Sequence, residues 1–137
     1  MSEPSNEQLE TPGWMKALAA LCALTVVVAV ARDLFYEPTR EIEVWFGFEL
    51  TGIAAYLTAP IHWAIFAAGA YGFWYRRRWV LPAAAAYELY AAFCHLVWSE
   101  VSVNGRGWQI GLLQAIALSA VALALLRAHR NMYAESS

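Results

Sequence analysis

Charge is scarce in this sequence, and what there is of it is poorly mixed. Of 137 residues, 15% are charged and 61% are hydrophobic, against about a quarter charged in a soluble domain. The charges gather at 1–16, 32–43, 76–78, 106 and 127–135, with long apolar runs between. Soluble helices scatter charge along one face, so this pattern argues against a soluble fold. Cysteine is nearly absent. Cys22 and Cys94 each sit inside an apolar run, which excludes a disulfide framework or a CxxC knuckle and leaves both as small packing residues. No basic stripe accompanies the net charge of −2, so nucleic acid is not an expected partner. Glycine-rich phosphate loops, GxSxG and HExxH are missing too, and no cofactor is expected. His62, His95 and Glu88 supply metal-ligand types, but no HxxH or ExxH spacing joins them, so no metal site is expected.

The apolar runs are what the sequence does have. Trp14–Ala31 is eighteen residues, just enough for a bilayer at about 1.5 Å per residue. Its Ala29-Val30-Ala31 resembles a signal cleavage site, yet Glu3, Glu7 and Glu10 precede it where a signal peptide carries bases. Val44–Tyr75 is too long for one span and has no turn to make two. Its span is expected at 53–75, counted back from the Arg76-Arg77-Arg78 anchor, with Val44–Gly52 as a tilted or interfacial extension. Pro60 kinks it, and Ala64, Ala68 and Gly72 form a small-residue row for close helix approach. Trp79–Val101 is the third span, with Pro82 in its first turn. Trp108–Leu126 is the fourth, after the turn Ser102–Gly107. The expected fold is an all-α integral membrane protein: a four-transmembrane-helix bundle over 14–126, with helix 2 extended and kinked at Pro60. A disordered acidic tail (1–13) precedes it, and a polar tail (127–137) follows.

Bases set the expected topology. Lys16, Arg76, Arg77, Arg78, Arg127 and Arg130 fall on one side, and Arg32, Arg40 and Arg106 on the other. The positive-inside rule then puts both termini in the cytoplasm, in a bacterial inner or plasma membrane. Trp14, Trp74, Tyr75 and Trp79 mark the inner boundary, and Tyr36, Trp45, Trp98 and Trp108 the outer one.

Ionisable groups within the spans are costly, and so are candidates for function. Counted from the inner end, Glu88 lies about 14 Å in, Gln114 about 18 Å, His62 about 20 Å and His95 about 24 Å. Asp33, Arg32, Glu49 and Glu100 sit above them at the outer rim, where Arg32–Asp33 reads as a local ion pair of little weight. This outlines a polar cavity open to the non-cytoplasmic side. Glu88 and His95 are i, i+7, so they share a helix face with Tyr87 beside them. A carboxyl and an imidazole at that depth suit proton transfer, with Glu88 as acid and His95 as base. Glu49, His62, Gln114 and Tyr87 are the expected ligand-binding residues.

WFGFEL (45–50), Pro60 and FCHLVWSE (93–100) loosely resemble segments of the four-helix sterol isomerases of the emopamil-binding type. Those carry an acidic residue and a proline in one span and acid–base groups in the next. The resemblance covers under half the chain, and Glu49 stands farther from Pro60 and Pro82 than in that family, so no membership is assigned. The expected function is to bind or act on a small apolar or amphipathic molecule in an intramembrane pocket. A non-catalytic assembly or accessory subunit is the alternative, and a small proton-coupled transporter component is a third. Expected partners are the lipid bilayer, a small hydrophobic ligand and further copies of the chain.

Overall fold

The computed structural model describes residues 10–35 and 42–133. Most of the acidic tail, Tyr36, Arg40 and the last four residues lie outside the described residues. The elements are α1 (Gly13–Phe35), β1 (Ile42–Trp45), β2 (Phe48–Thr51), α2 (Ile53–Trp74), α3 (Val80–Val101) and α4 (Trp108–Tyr133). All four helices are long and apolar enough to cross a membrane, so the chain is a small integral membrane protein. Its outer faces fit that solvent: Leu21, Leu24, Val27 and Val28 on α1 are each more than half exposed.

One expectation is corrected. Val44–Gly52 is not a helical extension of α2. It forms most of an antiparallel β-hairpin, with Trp45 opposite Phe48 and Val44 opposite Glu49. Phe46 and Gly47 make the two-residue turn, both at positive φ (52° and 86°), as a type I′ turn requires. Val, Ile, Trp and Phe favour strands on either side. The turn is seated on α3, where a Cβ on Gly47 would strike the Val97 side chain.

α2 leaves the membrane through a Schellman motif. Arg77 N–H donates to Gly72 O at 2.8 Å and Arg76 N–H to Phe73 O at 3.3 Å, with Arg76 left-handed at φ 49°. Both ends of the described chain meet this turn. Thr11 Oγ1 donates to Trp74 O at 3.1 Å, and Tyr133 Oη donates to Arg76 O at 3.2 Å. α1 and α4 run past the expected limits of Ala31 and Leu126. In α4 the extra turns carry Ala128, Met132 and Tyr133 against the core, so residues 127–133 are helix.

α1 packs closely on α2, and α3 on α4. Small residues permit this. Gly111 lies against Ser99 and Leu96, and Gly69 against Cys22. The Ala64/Ala68/Gly72 row does not act as one seam. Gly72 is buried on Val80 and Trp79, whereas Ala64 and Ala68 remain exposed. The two helix pairs join near the chain ends through Met15, Ala19, Phe73, Leu81, Ala85 and Ala122. Toward the β-hairpin α2 and α3 make few contacts, and a cleft lies between the pairs.

Candidate functional site

The cleft comprises three cavities. The deepest, about 430 Å³, lies between all four helices and is walled by apolar residues such as Leu21, Phe66, Phe73 and Trp79, with Glu88 among them. A second, about 280 Å³, is bounded by Thr25 and Arg32 of α1, Glu43 of β1 and His62 and Trp63 of α2. A third, about 260 Å³, lies beside α3 between His62, Tyr90, Cys94 and His95. Tyr87 lines all three. Its ring meets the edge of Phe66 at 5.7 Å, which fixes it where the deep chamber passes into the two upper ones.

A hydrogen-bonded knot closes the β-hairpin end. Asp33 is 2% exposed although it stands in the last turns of α1. Arg32 Nε donates to its Oδ1 at 2.8 Å and Trp63 Nε1 to its Oδ2 at 2.7 Å. Glu43, in β1, accepts from Arg32 at 3.2 Å through Oε1. Its Oε2 lies 2.6 Å from His62 Nδ1. Trp45 stacks on the His62 ring, with centroids 4.3 Å apart and planes 10° from parallel. The β-hairpin is thus tied to α1 and α2 through one carboxylate. The bridge joins separate elements through a buried carboxylate with a half-exposed Arg32 at its edge, whereas Arg32–Asp33 alone reads from sequence as a weak local pair.

A second anchor ties the β-hairpin to α3. Glu49 accepts from Trp98 Nε1 at 2.7 Å, Ser102 Oγ at 2.5 Å and Asn104 Nδ2 at 3.2 Å. Hydrogen bonds from Ser102, Trp98 and Asn104 hold its carboxyl below the usual glutamate range. Glu49 therefore clamps the loop above the cleft.

The other candidates separate by depth. His62 and Tyr87 stand on the cleft, at the junctions of its chambers. Glu88 is half-buried in the wall of the deep chamber and has no hydrogen-bond or ion-pair partner among the described residues. His95 is exposed and lines the cavity beside α3. Helical spacing puts Glu88 and His95 on one face, but they line different chambers. Gln114 is on α4, outside the residues lining these three cavities, and its Oε1 is buried without a partner. Sequence reasoning placed Asp33 and Arg32 at the outer rim of the cavity but did not single out Glu43 or Trp63. Glu43 carried no signal of its own, because in sequence it closes the charged stretch 32–43, where several acids and bases lie together. Among the described residues no group of three His, Cys, Asp or Glu is placed to hold a metal ion.

The fold and cleft define a four-helix membrane protein with a polar-capped pocket between two helix pairs. No protein-family model, curated protein or solved structure matches the chain.

Proposed function

We propose that the protein binds a small amphipathic molecule between its helix pairs. The apolar part occupies the deep chamber, and the polar part points toward Tyr87, His62 and Glu43. One observation carries this reading: Tyr87 lines an apolar chamber of about 430 Å³ and both polar cavities above it. That volume falls in the range of about 300–1,000 Å³ typical of small-molecule sites. In the same reading both termini face the cytoplasm, a bend at Pro60 shapes the α2 wall, and the polar cavities open to the opposite side. Glu88, His95, Glu49, His62, Gln114 and Tyr87 remain the residues proposed to serve the site.

The test is photolabelling in lipid nanodiscs with a diazirine-bearing dodecanol. Labelling of α1 and α3 peptides, blocked by unlabelled dodecanol and by the chamber-filling Ala84→Trp, supports the reading. A lipid-facing control, Leu24→Trp, leaves the label unchanged. Label spread evenly over the outer faces and indifferent to Ala84→Trp overturns it.

The His62–Glu43 contact favours a second reading, proton transfer on the bound molecule. A carboxylate on Nδ1 orients an imidazole and leaves Nε2 to exchange a proton with a substrate. Deuterium uptake from D₂O into the captured molecule, lost in His62→Gln, is the expected result. Equal uptake in both proteins removes the catalytic reading and leaves binding.

A further inference from the structure

We propose that the bound molecule is a lipophilic amine, with Glu88 as the counter-ion of its ammonium group. This rests on the binding reading above and adds the ligand's charge to it.

Asp33 is held by Arg32 and Trp63, Glu43 by Arg32 and His62, and Glu49 by Trp98, Ser102 and Asn104. The chain therefore satisfies its acids where it can. Glu88 is the exception: among the described residues it has no hydrogen-bond or ion-pair partner and is the only charged side chain lining the deep chamber. An ionised carboxylate in apolar surroundings costs several kcal/mol unless a counter-charge is supplied. No basic residue lines the chamber among the described residues, so a cationic ligand is the complement that would let Glu88 stay ionised there.

The placement suits this. Of the α3 residues lining the chamber, Glu88 lies farthest toward the β-hairpin, one residue past Tyr87. A cation there has an apolar chamber below it for its hydrocarbon part and polar cavities above. The rings of Phe66, Trp79 and Tyr87 line the same chamber, and aromatic walls favour a cation over an anion. An anionic amphiphile meets the opposite field.

The experiment compares two matched probes in phosphatidylcholine nanodiscs at pH 7: a diazirine-bearing N,N-dimethyldodecylamine and the same chain ending in a hydroxyl. The amine is expected to label the α1 and α3 peptides at about tenfold lower concentration than the alcohol, equivalent to about 1.4 kcal/mol. Glu88→Gln is expected to erase that difference while the alcohol still labels, which also shows that the variant is folded. If amine and alcohol label equally in the unaltered protein, the counter-ion proposal is overturned and the amphiphile site stands. If the amine preference survives Glu88→Gln, Glu88 is not the counter-ion and the proposal is overturned as well. If neither probe labels the cleft, both the proposal and the binding reading beneath it fail.

Discussion

His62 Nδ1 stands 2.6 Å from Glu43 Oε2, and this contact joins a membrane-spanning helix to a strand outside it. Glu43 also accepts from Arg32, so one carboxylate serves two cationic or protonatable partners on two helices. Replacing it takes the Nδ1 contact from His62 and one of several partners from Arg32. Glu43→Gln is expected to lower stability by about 2 kcal/mol or more. His62→Gln loses one contact and is expected to cost about 1 kcal/mol. Unfolding in mixed micelles, run on both single variants and the double variant, measures this. The double variant should cost less than the sum, because the two residues share a bond. Strict additivity removes the coupling claimed here.

The Glu49 anchor has a definite pH sign. Its carboxyl is held below the ordinary value by hydrogen bonds from Ser102, Trp98 and Asn104. A group depressed in the folded state contributes stability that is fully present above its unfolded value, about 4.3 for glutamate. That contribution is lost as pH falls through the folded value. The β-hairpin should therefore loosen in acid. Trp98 donates directly to Glu49, so its fluorescence should change as pH is taken from 7 to 3. Glu49→Gln should flatten that change. An acid response of the same size in the variant would assign it to another group.

Gly47 gives a purely steric prediction. It sits in the turn at φ 86°, and a Cβ there would strike Val97. Gly47→Ala combines backbone strain with a clash and is expected to cost about 2 kcal/mol. The damage should be local: proteolysis within the β-hairpin should rise while the four helices keep their circular dichroism. Global loss of helix would show that the β-hairpin holds the bundle together.

The four helices were legible because bilayer thickness fixes how long an apolar run must be, and charge marks where it stops. The β-hairpin was not. Its turn is Phe46-Gly47, without the Asn-Gly or Asp-Gly that announces a type I′ turn, and its strands merge into the apolar run of α2. Glu43 stood unmarked in the charged stretch before it, and nothing in the sequence joined it to His62, 19 residues away. Depth counting singled out Glu88, Gln114, His62 and His95, since an ionisable or polar residue inside a span is conspicuous; Glu88, His62 and His95 line cavities and Gln114 does not. Periodicity went too far with Glu88 and His95. The two share a helix face, yet Glu88 lines the deep chamber and His95 the cavity beside α3.

The acids of the cleft separate into two kinds, and stability should tell them apart. Asp33 is buried and carries hydrogen bonds from Trp63 and Arg32. Asp33→Asn removes the charge that both donors face and is expected to cost about 2 kcal/mol in mixed-micelle unfolding. Glu88 has no such partner among the described residues and faces an apolar chamber. Glu88→Leu should therefore be neutral or stabilising in the ligand-free protein, because it removes a polar group that the fold does not satisfy. A fold that keeps a half-buried, unpaired acid on an apolar chamber gives up stability for something the helices themselves do not need. If Glu88→Leu instead costs as much as Asp33→Asn, Glu88 is a structural hydrogen-bonding group, and the case for a ligand at that depth loses its main support.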